Sequence, residues 1–166
     1  MIADAPLKKD VPDDGDWSTE LKGRIAYGSD RLLSLPVETW TYTGGAHGNY
    51  GTRTINIDLK AGRPLTLADL TAETNQKALV QICLEQVLAQ KKEKDVPPPD
   101  ATEEAERNKA LRSVVTDLQS WTFKGDAAEI TFDPYAVGSF VEGEYTCDIP
   151  YVQLRPLAKP AFPLPQ

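Results

Sequence analysis

Tyr42-Thr-Gly-Gly-Ala-His-Gly-Asn-Tyr-Gly51 carries four glycines, the only histidine of the chain and two tyrosines. It lies between two runs that alternate with a period of two. In Leu35-Pro-Val-Glu-Thr-Trp-Thr-Tyr-Thr43, Val37, Thr39, Thr41 and Thr43 share one face and Glu38, Trp40 and Tyr42 the other; Thr52-Arg-Thr-Ile-Asn-Ile-Asp-Leu59 alternates again. Alternation of this kind marks half-buried β-strands, so the stretch reads as a hairpin closed by a glycine-shaped loop. Glycines permit positive φ and a close approach by another backbone or a ligand. The simple reading is a packed, bulged connection; the functional one is a presented loop.

Downstream, Lys60-Ala-Gly-Arg-Pro64 is a turn. Thr66-Leu-Ala-Asp69 has the spacing of a small capping box. A main helix is expected over about Thr74 to Glu93, with Leu79, Ile82, Cys83, Gln86, Val87 and Gln90 in one stripe and Lys91, Lys92 and Lys94 where the helix dipole favours cations. Asp95-Val-Pro-Pro-Pro-Asp100 breaks it. Asp100 and Glu103 then start a second, shorter helix whose acids precede its bases, read as a solvated charged face. The period returns to two in Ser120 to Lys124 and Glu129 to Asp133. A second loop, Pro134-Tyr-Ala-Val-Gly-Ser-Phe-Val-Glu-Gly143, leads to a last strand, Glu144 to Pro150, on which Tyr145, Cys147 and Ile149 share a face. The expected fold is α+β, a curved and mainly antiparallel sheet packed by one long helix and a second shorter one. Residues 1–16 are expected as a flexible arm, 17–157 as a single domain, and 158–166 as a proline-rich tail.

The glycine string, continued by Thr-Ile-Asn-Ile-Asp-Leu-Lys-Ala-Gly-Arg-Pro-Leu-Thr-Leu-Ala-Asp-Leu70, resembles the extracytoplasmic domain of RsiV-type anti-sigma factors. That domain is shared with bacterial lipoproteins of unknown role and with the non-catalytic part of some peptidoglycan deacetylases. The resemblance runs from about Leu33 to Leu157 and takes in Phe132 to Gly143 and Ile149-Pro-Tyr151. It implies a non-catalytic module of the cell envelope that recognises a lysozyme-like peptidoglycan hydrolase, as sensor or inhibitor, through loop residues. The alternative is direct binding of peptidoglycan glycan, with Trp40, Tyr42 and Tyr50 stacking on sugars. The binding surface expected on this resemblance is Tyr42, Thr43, Gly44, His47, Asn49, Tyr50, Tyr135, Ser139 and Phe140, provided both loops emerge at one end of the sheet. Where the family usually has a Pro-Tyr pair in the second loop, this chain has Ser139-Phe140, losing a hydroxyl and a stiffening proline.

Composition bounds these readings. With 166 residues the chain can bury a real core. A net charge of −7 argues against nucleic acid, whose phosphates need a Lys/Arg surface, and favours a basic partner, as many lysozymes are. No run approaches the roughly 18 apolar residues of a membrane span, and the start lacks the apolar core of a signal peptide. Either the chain is cytoplasmic or a leader has been removed; the expected location is extracytoplasmic, in the periplasm or at the cell surface, with a lipid anchor in the precursor as one option. Cys83 and Cys147 both point toward the core, where they form one bridge or remain two buried thiols. Two cysteines and one histidine leave no usual zinc set, and no cofactor is expected. His47 without a Gly-x-Ser-x-Gly elbow gives no hydrolase triad; a cell-wall hydrolase using His47 is the third reading.

Overall fold

A computed structural model describes residues 17–165; the expected arm at 1–16 lies outside them. Among these residues eight strands and four α-helices follow in chain order, with four short 3-10 turns interspersed. Strands β1 (Ser18–Gly23), β2 (Tyr27–Gly28), β3 (Leu32–Tyr42), β4 (Asn49–Asp58) and β5 (Arg63–Pro64) come first. Helices α1 (Leu67–Leu70), α2 (Gln76–Glu93) and α3 (Ala101–Val115) follow. Strands β6 (Trp121–Phe123), β7 (Ala127–Phe132) and β8 (Tyr145–Pro150) and the short helix α4 (Tyr151–Leu154) complete the chain.

The class is α+β, with two antiparallel sheets where one curved sheet was expected. The first is ordered β1-β3-β4-β5 with β2 also on β3, and the second is β6-β7-β8. The β3–β4 hairpin is long, pairing Leu32 with Asp58 at one end and Thr41 with Asn49 at the other. Both capping boxes form. Asp69 reaches back to the Thr66 backbone N–H at 2.8 Å, and Asp100 accepts from the Thr102 and Glu103 N–H groups at 2.8 and 2.9 Å. Each removes helix-end donors that would otherwise lack partners.

The apolar core lies between the second sheet and the helices. Leu79, Cys83 and Val87, four residues apart on α2, are fully buried, as are Trp121, Phe123, Ile130, Phe132, Cys147 and Ile149 on the strands. Cys83 and Cys147 are joined by a disulfide, which resolves the two alternatives in favour of the bridge. It links α2 to β8 across 64 residues of chain.

Side chains seal both edges of the second sheet. On β8, the Gln86 amide donates to Asp148 C=O at 2.8 Å and accepts from its N–H at 3.0 Å; Gln90 does the same at Thr146, at 2.7 and 3.2 Å. On β6, Asn56 donates to the carbonyls of Leu118 and Trp121 at 3.0 and 2.8 Å, and Ser34 Oγ accepts from Phe123 N–H at 3.0 Å. Asn56 is itself fixed by the Ser34 hydroxyl at 2.8 Å. Exposed strand edges are templates for pairing with other chains; here the edge groups are already used.

Two expectations are corrected. Residues 158–165 are not a free tail. Thr71 bridges Ala158, Lys159 N–H donates to Leu70 C=O at 2.7 Å, and Phe162 is buried against Phe123 at a centroid distance of 5.4 Å. The apolar side chains Phe162 and Leu164, spaced between prolines, supply the burial that holds the segment down. The charged face of α3 is not wholly solvated either, because Arg107 is buried.

Candidate functional site

The hairpin tip is built by local necessity. Gly44 and Gly45 both take positive φ, +89° and +104°, where a Cβ is disfavoured, and the Tyr42 hydroxyl donates across the turn to Gly45 C=O at 3.0 Å. Further along, a Cβ on Gly51 would sit 2.8 Å from the Asp133 carboxylate. That carboxylate accepts from the Thr52 N–H at 2.9 Å, so the start of the second loop is fastened to the hairpin. Burial pushes the Asp133 carboxyl up, opposed by the Thr52 hydrogen bond and the charge of Arg53.

Glu142 organises the second loop. One carboxylate oxygen accepts from the Ser139 N–H and hydroxyl at 2.7 and 2.9 Å, closing a turn over Phe140–Glu142. The other takes the Tyr145 hydroxyl at 2.7 Å and the Lys91 ammonium. Burial alone would raise the Glu142 carboxyl; the Lys91, Ser139 and Tyr145 hydrogen bonds outweigh it and hold it at about 2. Lys94 adds bonds to the carbonyls of Glu142 and Glu144, at 2.6 and 3.0 Å, and lies 4.0 Å over the Tyr145 ring. The loop is thereby strapped to the end of α2. Within it Tyr135 has φ +70°, a conformation that costs a non-glycine residue about 1 kcal/mol.

The two loops meet. Phe140 stacks on His47 with centroids 3.7 Å apart and planes 12° from parallel. Tyr135 lies at 5.5 Å and Tyr50 at 6.2 Å from the Phe140 centroid. His47 Nδ1–H donates to Gly48 C=O at 3.0 Å, while Nε2 is 3.5 Å from the Tyr135 hydroxyl. Of the residues named from the sequence, His47, Tyr50, Tyr135 and Phe140 therefore form one cluster. Tyr42 stacks with Trp40 at 6.3 Å, and Thr43, Gly44 and Asn49 lie exposed on the hairpin. The Ser139 hydroxyl is committed to Glu142. Beside the cluster Val141 is 91% exposed and Tyr135 60%; the sequence reading missed Val141, whose place on the outer side of a one-turn helix has no local signal.

Below the cluster a cleft of about 360 Å³ opens between the sheets. Trp40, Tyr50 and Glu38 of the first sheet face Thr131 and Glu129 of the second and Glu144 just ahead of β8. Trp40 and Tyr50 remain 40% and 41% exposed. Burial raises the Glu144 carboxyl, and the negative charges of Asp133, Glu129 and Glu38 raise it further. The cleft also holds Glu20 and two cations, Lys22 and Arg24, which pair with Glu20 and Glu38 at 3.6 and 3.9 Å, so it is a mixed-charge cleft with an aromatic wall. The sequence reading missed its carboxylates because their neighbourhood is made by pairing across two sheets. Among the described residues no three His, Cys, Asp or Glu side chains are grouped to hold a metal ion, and no helix is long and apolar enough to cross a membrane.

Known proteins locate this arrangement. Residues 3–50, through the glycine loop, match the family model described as Deacetylase PdaC, and residues 68–152, just over half of the chain, match the model described as a protein of unknown function, DUF3298. No curated protein matches the chain. A DUF3298 member from Bacteroides fragilis NCTC 9343 superposes with a TM-score of 0.66 at 23% identity over 86% of this chain. A DUF3298 protein from Pseudomonas aeruginosa PAO1 does so with 0.60 at 22% over 87%. The chain spans 55% and 63% of the length of those two proteins, and the likeness is one of fold. The chain belongs to the DUF3298 family, whose domain RsiV-type proteins also contain.

Proposed function

We propose that this domain is a non-catalytic binding module of the bacterial envelope that recognises a basic, lysozyme-like peptidoglycan hydrolase, as sensor or inhibitor. The observation that carries the reading is the stack of Phe140 on His47, which joins two separate loops into one aromatic knob. A rigid aromatic projection, ordered before it meets a partner, is the kind of anchor that dominates interface energy. The net charge of −7 is complementary to a cationic partner and would steer its approach. The Cys83–Cys147 disulfide fits a location outside the reducing cytoplasm.

The direct test is binding to a panel of lysozymes and to soluble peptidoglycan fragments at low and moderate salt. Submicromolar binding to a lysozyme that weakens as salt rises supports the reading; silence across the panel overturns it for those enzymes. A second reading, direct glycan binding, is favoured by one feature, the Trp40 and Tyr50 rings lining a cleft with threonine hydroxyls and carboxylates. Binding of fragments alone, insensitive to salt, would establish it instead.

A further inference from the structure

Arg107 is the buried charge that the knob and cleft do not use. It sits on the inward face of α3 with its side chain 8% exposed. Its Nε and Nη2 donate to Asn108 Oδ1 at 3.2 and 2.9 Å, and Nη2 reaches Glu104 at a long 3.4 Å. Glu104 is 58% exposed, so its charge is largely solvated and a weak counterion. Among the described residues Nη1 has no hydrogen-bond partner. Nη1 is not itself buried and so reaches solvent, which leaves a mostly buried guanidinium, with one long ion pair, open to an anion that replaces that water.

The group lines a pocket of about 650 Å³ between the proline-rich α2–α3 connection and the second loop. That volume is in the range of small-molecule sites, about 300–1,000 Å³. The walls near Arg107 are small and apolar: Val96, Pro97, Pro98, Ala110 and Val137. Lys91, also on the wall, is already neutralised by Glu142. The rim carries Glu103 and Glu106, both exposed to solvent. Glu103 lies one helical turn before Arg107 on α3, so the pocket offers a buried cation and exposed carboxylates beside an apolar wall.

We propose that this pocket binds a short peptide with a free C-terminal carboxylate and small apolar side chains. The carboxylate meets the guanidinium fork of Arg107, the side chains contact Val96, the prolines and Ala110, and the amino end faces Glu103 and Glu106. A planar guanidinium suits a carboxylate by paired N–H···O bonds, which a lysine would not reproduce. The site shares the second loop, Tyr135 to Ser139 and Glu142, with the knob but not His47, Tyr50 or Phe140, and its ligand is tested independently of the hydrolase reading.

The test is a calorimetric and NMR titration of the 166-residue protein with alanyl-alanine, its C-terminal amide, and acetate. Saturable binding of the dipeptide, with shifts at Ala110 and Val137, is expected to weaken at least tenfold in the amide and in acetate. Arg107→Gln should abolish it, and Arg107→Lys, which keeps the charge and loses the fork, should weaken it. If Arg107→Gln fails to fold, the amide comparison on wild type and the lysine variant decide. No saturable binding at millimolar dipeptide, equal binding of the amide or of acetate, or a lysine variant that binds as wild type would overturn the proposal.

Discussion

The two sheets of this domain are used differently. The three-stranded sheet packs Ile130, Phe132, Cys147 and Ile149 against α2 and α3, carries the disulfide, and has both edges closed by amide and hydroxyl side chains. The five-stranded sheet turns polar residues such as Ser34, Thr54 and Asn56 inward and leaves Leu21 67% and Ile55 47% exposed on its outer face. It extends the β3–β4 hairpin past the core, and the hairpin tip is where the aromatic cluster forms. Stability is concentrated in one sheet and presentation in the other, and the hydrogen bonds from Thr52 to Asp133 and between Thr54 and Thr122 help couple them.

If that division is right, truncations should cost unequal amounts in the two halves. Phe132→Ala, which empties a fully buried ring site, is expected to cost about 4 kcal/mol by denaturant unfolding, whereas Trp40→Ala in the exposed cleft wall should cost about 1 kcal/mol or less. Equal costs would break the comparison. Replacing Cys83 and Cys147 together by alanine removes a constraint on a 64-residue separation and should cost about 3 kcal/mol, lowering the thermal midpoint; an unchanged midpoint would show the bridge is not stabilising.

Smaller effects sharpen the comparison at the join. Glu142→Gln breaks a largely buried pair with Lys91 and should cost about 2 kcal/mol at neutral pH. The sign follows from the depressed carboxyl. Its folded value of about 2 lies below the ordinary 4.5, so its stabilisation is complete above about pH 4.5 and is lost as pH falls toward 2. The variant should lack that part of the acid destabilisation, and a wild-type-like pH curve in the variant would refute the assignment. Gln90→Ala should cost about 1 kcal/mol, because the edge groups it releases at Thr146 can reach water, and should raise the tendency to aggregate, measured by light scattering.

Local pattern made much of this legible. The hairpin, both capping boxes, the stripe on α2 and the shared face of Tyr145, Cys147 and Ile149 all follow from spacing, because they depend on neighbours within one element. Period-two alternation says which residues share a face and not which face is inside. On β3 and β4 the inner face includes Ser34 and Asn56, chosen for hydrogen bonds to β6 that no local window contains. The same limit hid the division into two sheets, the edge-sealing role of Gln86 and Gln90, the docking of Phe162 and the burial of Arg107. The meeting of His47 with Phe140, 93 residues later, rested on the assumption that both loops leave the sheet at one end; the carboxylates of the cleft come together through the same long-range packing.

The measurement that tests the central claim most directly is lysozyme affinity alongside thermal stability for one substitution in each half, Phe140→Ala on the knob and Val87→Ala in the core. The account predicts that Phe140→Ala lowers affinity at least tenfold and leaves the melting midpoint within a few degrees, while Val87→Ala lowers the midpoint and leaves the affinity of the folded protein unchanged. A Phe140→Ala protein that binds as wild type does, or a Val87→Ala protein that loses affinity while still folded, would contradict it.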